Sequence, residues 1–225
     1  MLLFFTAVTS RAQEHPFTVS IGGLLSTSSE LFPHSNDPDE NIRGQFLPLD
    51  DLFGISIDIR RQFDDLGVQL GLSIEYISKT ESYVLPITHS TSVPLTDGFT
   101  AVPIELSAYF VIPIGDETLQ LYMGGGGGLY IGNRNYTIAN VTAPTVGRTA
   151  QVGIHVLGGA QYLLSPLVSL RSEVKFRDVQ FETVNRFQQP NANYHGTTVA
   201  LDQQPLASRI SINGMTVTLG VAVHF

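Results

Sequence analysis

The chain has 225 residues, of which 43% are hydrophobic and only 14% are charged, and its formal net charge is −8. A typical soluble domain has about 25% charged residues, so few charges are available here to cover a water-exposed surface. The acidic balance argues against nucleic acid as a partner, and the lack of cysteine excludes disulfides and thiolate metal ligands. No apolar run approaches the roughly 18 residues of a membrane-spanning helix, so the chain would cross a membrane with strands.

The first residues have the pattern of a secretory signal peptide. Residues 2–8 are mostly apolar, and Ser10 and Ala12 are small residues at the −3 and −1 positions of a cleavage site before Gln13. A basic segment is missing in front of them. We therefore predict that residues 1–12 are a signal-peptide remnant, truncated at its start, and that residues 13–225 form the mature domain. The alternative is an N-terminal strand or a disordered tail.

Eight segments alternate apolar and polar residues with the period of two that a strand with one apolar face requires. In the clearest of them, Phe53, Ile55 and Ile57 alternate with Gly54 and Ser56. The eight predicted strands cover residues 17–25, 53–60, 68–76, 102–112, 119–131, 151–164, 168–177 and 214–225.

The connections between these strands alternate between long and short. The long ones cover residues 26–51, 78–101, 132–149 and 183–209, and their composition indicates generic polar surface. Short periplasmic turns and long extracellular loops are typical of eight-stranded barrels in bacterial outer membranes. We predict an all-β fold, an eight-stranded antiparallel up-and-down transmembrane β-barrel.

The end of the chain and its central hairpin resemble one family. The spacing of Thr218, Gly220, Val223 and the terminal Phe225 is similar to the assembly signal of bacterial outer-membrane β-barrel proteins. The glycine-rich strand, Ser-Pro turn and charged strand of residues 152–176 resemble the sixth and seventh strands of small OmpA/OmpX-like barrels. The resemblance implies a monomer in the outer membrane, surrounded by lipid and lipopolysaccharide and inserted by the barrel-assembly machinery.

Four acidic and four basic residues fall on the polar faces of the predicted strands. Unpaired charges away from water cost several kcal/mol each, so these side chains are expected to pair inside the barrel. We predict a lumenal ion-pair network that fills the interior, or alternatively a gate whose pairs exchange to let ions pass. The predicted members are Asp58, Arg60, Glu75, Glu105, Arg171, Glu173, Lys175 and Arg177.

Five consecutive glycines, residues 124–128, lie within the fifth predicted strand. They are not followed by the Lys-Ser/Thr of a phosphate-binding loop. We predict that they allow the strand to curve and leave room for bulky neighbours such as Tyr109 and Arg171.

The function expected from this fold is structural or surface-binding, exercised on an unidentified ligand through the extracellular loops. The alternatives are a narrow channel for ions or small solutes, a lipid A-modifying enzyme and a soluble lipocalin-like carrier. We predict no catalytic residue, metal or cofactor: His89, Ser90 and His195 match no known motif of lipid A enzymes. The acidic segment 37–40 lacks calcium-loop spacing and is expected to be solvated.

Overall fold

The structure is a computed structural model and describes residues 16–63, 66–87, 92–114 and 118–225. The predicted signal-peptide remnant, residues 1–12, and the pair His89 and Ser90 lie outside the described residues. In chain order the elements are β1 (Phe17–Ser26), β2 (Glu30–Phe32), α1 (Glu40–Arg43), β3 (Leu47–Pro48), β4 (Leu52–Phe63), β5 (Val68–Pro86), β6 (Ser92–Ile112), β7 (Leu119–Arg134), β8 (Tyr136–Ile138), β9 (Val141–Ala143), β10 (Thr145–Arg148), β11 (Gln151–Ser165), β12 (Val168–Arg177), β13 (Val179–Asn185), β14 (Asn191–Tyr194), β15 (Thr197–Ala200), β16 (Leu206–Ile212) and β17 (Met215–His224). Within these residues, no helix is both long and apolar enough to span a membrane.

Eight of these strands close into an antiparallel barrel, as predicted. Around the wall the order is β1, β4, β5, β6, β7, β11, β12 and β17, and β17 then pairs with β1 from Thr18↔His224 to Ser26↔Thr216. Two further backbone bonds join Phe17 and Phe225, with N···O distances of 3.0 and 2.9 Å. Closure leaves the barrel wall without the unpaired strand edge that lipid cannot satisfy. We call the end with the short connections the turn end, and the opposite end the cap end.

The barrel is apolar outside and polar inside. Outward side chains such as Ile55 and Ile57 are more than half exposed, while the polar residues that alternate with them on the same strands are turned inward. A soluble carrier would place its apolar face around a ligand inside the barrel. The lipocalin-like alternative is therefore wrong, because the apolar face forms the outer wall.

The strands at the cap end extend well past their predicted ends. Most of the segment expected to be a loop, residues 78–101, belongs to strands, because β5 continues to Pro86 and β6 begins at Ser92. These two extensions pair with each other from Lys79↔Phe99 to Pro86↔Ser92. The prediction of a loop over this range was wrong, since the barrel hairpin simply continues beyond the wall.

The other long connections fold onto these extensions and form a cap over the barrel. Strands β10, β13, β16, β2 and β3 make a five-stranded sheet, β14 and β15 make a hairpin, and β8 and β9 extend the barrel sheet at β6. The cap has its own apolar cluster, in which buried Val93, Val141 and Phe187 pack together. The expectation of generic polar surface was therefore wrong, because isolated apolar residues of separate loops converge in one core.

Some inward-facing glycines are required because a neighbouring side chain fills the space of a Cβ atom. A Cβ atom on Gly71 would lie 2.9 Å from the Tyr109 ring, and one on Gly159 would collide with the Tyr122 ring. In the run of residues 124–128, a Cβ on Gly128 would meet the Glu105 side chain at 2.8 Å. The room for Tyr109 thus comes largely from β5, and the glycine run mainly lets β7 approach the backbone and side chains of β6.

Candidate functional site: the barrel interior and the cap

All eight charged residues that we predicted for the interior are buried there, and the structure brings them together as two clusters. The turn-side cluster consists of Asp58, Arg60, Arg171 and Glu173. Arg60 donates from Nε to Asp58 at 2.7 Å and from Nη2 to Glu173 at 2.8 Å, and Arg171 donates to Asp58 at 2.6 Å. Two acids and two bases balance within this cluster.

The cap-side cluster consists of Glu75, Glu105, Lys175 and Arg177, and its charges also balance. Lys175 donates from Nζ to Glu75 at 2.7 Å and also to Glu105. Arg177 donates from Nη1 to Glu75 at 2.7 Å and to Glu105 at 3.1 Å. Each base therefore bridges both acids, so that the cluster links β5, β6 and β12 across the lumen.

Aromatic hydroxyl groups complete the network, although we did not predict them as members from the sequence. Tyr130 donates to Glu105 at 2.6 Å, and Tyr122 donates to Glu173 at 3.2 Å. The Arg60 guanidinium carbon lies 3.6 Å from the centroid of the Tyr109 ring. In the sequence, these tyrosines stand at the inward-facing alternate positions of their strands, as the charged residues do. This alternation could have predicted that they face the lumen.

A small cavity separates the two clusters. Its volume is about 30 Å³, and side chains of both clusters line it, including Asp58, Arg171, Glu75 and Lys175. The buried atoms Asp58 Oδ2 and Arg171 Nε have no hydrogen-bond partner in the described protein. Because one water needs at least about 10–15 Å³ and two to four polar partners, the cavity fits an internal water site.

An apolar plug closes the cap end above the ion pairs. It is formed by inward residues of the barrel strands together with residues of the cap, all at least 97% buried. Its members are Leu24, Leu31, Leu49, Leu52, Ile77, Phe99, Ala101, Phe181, Ile210 and Ile212. The rings of Phe99 and Phe181 meet edge to face with their centroids 6.3 Å apart. The lumen is thus filled by ion pairs and then sealed by a packed apolar layer.

Three residues of the interior, a serine, a histidine and a glutamate, are arranged like the nucleophile, base and acid of a catalytic triad. Ser107 Oγ lies 2.8 Å from His155 Nε2, and His155 Nδ1 lies 3.9 Å from Glu105 Oε1. The second distance is too long for a hydrogen bond. Ser107 is only 2% exposed, so a substrate cannot reach its hydroxyl group. The arrangement packs the lumen and offers no accessible nucleophile.

The residues of the predicted assembly signal lie on β17, the strand that closes the barrel. Thr218 and Gly220 pair with β1 and β12, and Val223 faces outward. The Phe225 ring stacks on the Phe17 ring with a centroid distance of 6.3 Å. The four residues therefore form a continuous part of the seam between the two ends of the chain.

A buried ion pair fixes the cap to the extended barrel strands. Arg134 donates from Nη2 to Asp97 at 2.6 Å and from Nη1 to the Ser208 hydroxyl at 2.6 Å. The Arg134 guanidinium also lies over the Tyr136 ring, 4.4 Å from its centroid. Burial raises the pKa of the Tyr136 hydroxyl, against the opposing effect of Arg134. These contacts tie β6, β7, β8 and β16 into one body.

The acidic segment of the first long connection forms a helical turn. Asp39 accepts from the Asn41 backbone N–H at 2.9 Å and caps α1, and Asp37 accepts from the Asp39 N–H at 2.9 Å. Within the described residues, no group of three or more His, Asp or Glu side chains is arranged to hold a metal ion. The local role of these carboxylates is therefore capping.

The fold is similar to solved outer-membrane barrels. The outer membrane protein OprG of Pseudomonas aeruginosa matches with a TM-score of 0.61 and 13% identity over 95% of this chain and 98% of OprG. Neisserial surface protein A, NspA, matches with a TM-score of 0.50 and 13% identity over 93% of this chain and 97% of NspA. The outer membrane protease OmpT of Escherichia coli matches with a TM-score of 0.45 and 9% identity over 97% and 99% of the two chains. No protein-family model matches the sequence, and a comparison with curated proteins finds no match either.

At these identities the similarity establishes the fold alone. The closed eight-stranded barrel, its apolar outer wall and its similarity to OprG and NspA define a small bacterial outer-membrane β-barrel. Lipid and lipopolysaccharide are the surroundings of such a barrel. A shared fold at 13% identity does not decide whether this chain has an enzymatic activity.

Proposed function

We propose that this protein is a closed outer-membrane barrel whose extracellular cap binds another protein. The observation that carries the proposal is an unpaired strand edge, Lys79–Pro86 of β5, which projects beyond the barrel. On one side this segment pairs with β6, but on the other side β4 has already ended, with Phe53↔Ser78 as its last pair. Within the described part of the chain, no strand pairs with the outer side of residues 79–86.

The direction of the backbone groups along this edge follows from the neighbouring strand. The carbonyl groups of Gly98 and Pro94 accept from the N–H groups of Asn135 and Ala139, on the side of β6 that faces away from β5. The backbone N–H and C=O groups of even-numbered residues of β6 are therefore directed away from β5 here, and those of odd-numbered residues are directed toward it. In an antiparallel pair, both residues direct their backbone groups either toward each other or away from each other. Even-numbered residues of β5 pair with even-numbered residues of β6, so they direct their N–H and C=O groups to the free edge.

The free edge thus offers a row of unpaired donors and acceptors. Thr80, Ser82 and Val84 each present an N–H and a C=O group, and Pro86 presents a carbonyl only. Val84 is 73% exposed and Tyr83 is 38% exposed, so the described cap leaves these side chains of the segment open to solvent. Such an edge is a template for an additional strand from another chain.

The edge is held in place by the core of the cap. Val93, which pairs with Leu85, is fully buried, and Leu85 packs against the same cluster. A two-stranded ribbon alone would be marginally stable, whereas this one is backed by packed side chains. A preformed edge lowers the ordering cost of binding, so it suits an extended segment of a partner protein.

The closed lumen supports a binding role over a channel. Two charge-balanced clusters fill the barrel, and the apolar plug covers them at the cap end. Ions crossing the barrel would have to pass a dry apolar layer as well as the ion pairs. The alternative of a narrow channel therefore requires two separate rearrangements.

A proline substitution tests the free edge selectively. Ser82→Pro removes one N–H group from the free edge without removing a bond to β6, whereas Ser82→Ala keeps the backbone donor and serves as the matched control. We would select peptides from a random displayed library on the protein in lipid nanodiscs. The proposal requires peptides that bind the wild-type protein and Ser82→Ala but bind Ser82→Pro at least about tenfold more weakly, as expected when edge hydrogen bonds are lost. Peptides that bind all three forms equally would refute the use of this edge.

Conductance in a planar bilayer tests the closed lumen. We expect no steady openings from the wild-type protein or from the double variant Arg171→Gln/Glu173→Gln, because the apolar plug remains in both. Openings in the double variant alone would mean that the turn-side cluster is a gate, and the channel alternative would then be favoured.

A further inference from the structure

A shallow groove runs along the lipid-facing wall near the turn end of the barrel. Its volume is about 220 Å³, and it crosses the outward faces of β1, β4, β5 and β6. The outward side chains that line it are Phe17, Ile59, Arg61, Leu70, Leu72 and Leu106. All but one of these side chains are apolar, as expected for contact with an acyl chain.

The exception is Arg61, which lies at the end of the groove nearest the turns. Its neighbours across the strands are Phe17 and Leu70, and its guanidinium carbon lies 5.5 Å from the Phe17 ring centroid and 4.9 Å from that of Phe63. Among the described residues, Arg61 takes part in no ion pair. A guanidinium on a lipid-facing wall is costly unless it reaches an anion or the membrane interface.

The depth of Arg61 in the membrane follows from the aromatic residues around it. Phe17, Phe63 and the terminal Phe225 lie together at the turn end of three neighbouring strands, β1, β4 and β17. Aromatic side chains form girdles at the interfaces of outer-membrane barrels. Arg61 therefore lies at the headgroup level of the periplasmic leaflet, and the groove extends from it toward the membrane interior.

We propose that this groove binds an anionic phospholipid of the periplasmic leaflet, with Arg61 on its phosphate group and an acyl chain along the apolar residues. The guanidinium donates paired hydrogen bonds to phosphate oxygens in a geometry that an ammonium group cannot reproduce. The site lies at the opposite end of the barrel from the cap, so it is independent of the partner that the cap binds.

Fluorescence quenching by brominated lipids tests the proposal, because the chain contains no tryptophan. Ile57→Trp introduces a reporter one row of side chains beyond the groove, and Ile74→Trp on the neighbouring strand is a second reporter. In bilayers that mix brominated phosphatidylglycerol with phosphatidylcholine, the quenching measures how often phosphatidylglycerol lies beside the tryptophan. We expect phosphatidylglycerol to occupy this position with a roughly fivefold preference over phosphatidylcholine. Arg61→Gln should abolish this preference, and Arg61→Lys should retain only part of it.

Two controls distinguish a lipid site from a general attraction to negative charge. The same substitution at the exposed cap residue Arg148 should leave the preference unchanged. A reporter at Ile154, which faces outward on β11 and is 78% exposed, should show none. An equal preference at Ile154, or one that survives Arg61→Gln at both reporters, would overturn the proposal. Displacement of the lipid by inorganic phosphate would overturn it too, since the site would then bind a bare anion.

Discussion

Replacing Glu105 with glutamine tests whether charge balance holds the cap-side cluster together. The cluster contains two carboxylates, one ammonium and one guanidinium, and Glu105 contacts both bases. Glu105→Gln leaves Lys175 and Arg177 with Glu75 as their one acid in the cluster. Removing one member of a buried ion pair costs about 3–5 kcal/mol, because its partner stays buried without compensation. Glutamine can still accept a hydrogen bond, so we expect a loss near the lower end, about 3 kcal/mol.

A second substitution separates charge balance from packing. Lys175→Met removes one base and keeps an unbranched side chain of similar length. In combination with Glu105→Gln it restores neutrality, so the double variant should lose less stability than the two single variants added together. For residues in one network we expect a coupling free energy of about 2–3 kcal/mol.

The assay is equilibrium unfolding in urea of the protein inserted in lipid vesicles. The folded fraction can be read from the faster gel migration of unboiled, folded barrels, and the slope of the transition should not change between variants. Glu182→Gln, an exposed acid on β13, is the matched control and should stay within about 0.5 kcal/mol of the wild type. Additive effects of Glu105→Gln and Lys175→Met would refute the reasoning, because the two charges would then not depend on each other.

Three further predictions concern the wall, the cap and the seam. Gly159→Ala should destabilise the barrel by about 1–3 kcal/mol in the same urea assay, because the added methyl group collides with a buried tyrosine ring, whereas Gly23→Ala meets nothing within 4 Å and should be neutral. Arg134→Gln leaves Asp97 buried without its cation and should expose the cap to limited proteolysis while the barrel keeps its folded gel mobility. Phe225→Ala should reduce the yield of inserted protein in cells but not the refolding of the purified chain into detergent, since the proposed assembly signal acts during insertion. Equal cellular yields of the wild type and Phe225→Ala would count against that signal.

The barrel could be predicted because its pattern is local. Residues 53–60 alternate apolar and polar side chains, and each short connection between predicted strands indicates an antiparallel hairpin without reference to the rest of the chain. The membership of the network followed from the same parity. Its pairing did not, because Arg60 and Glu173 are separated by 113 positions and meet only through the register of the closed barrel.

The cap could not be predicted from composition. Phe99, Phe181 and Ile210 stand among polar residues in the sequence, and no window around them has the run of apolar residues that indicates a core strand. A weak signal was nevertheless present, because the parity of the barrel strands continues into the cap. Phe99 has the inward parity of Glu105 on β6, and Phe181 has the parity of Arg177.

Along the strands, the outer face of the wall changes from apolar to polar, and the inner face changes from polar to apolar. The position of this change locates the membrane surface. On β12 the inward Lys175 and Arg177 alternate with the outward Val174 and Phe176. At the start of β13 the outward Gln180 and Glu182 are polar, and the inward Phe181 is apolar. A wall in lipid needs an apolar outer face and can keep ion pairs inside, while a wall in water needs a polar outer face and an apolar core. The inversion between Phe176 and Phe181 therefore places the cap-side surface of the membrane near Asp178. On β6 the same inversion falls between Glu105 and Phe99, so two strands on different sides of the barrel support one level for that surface.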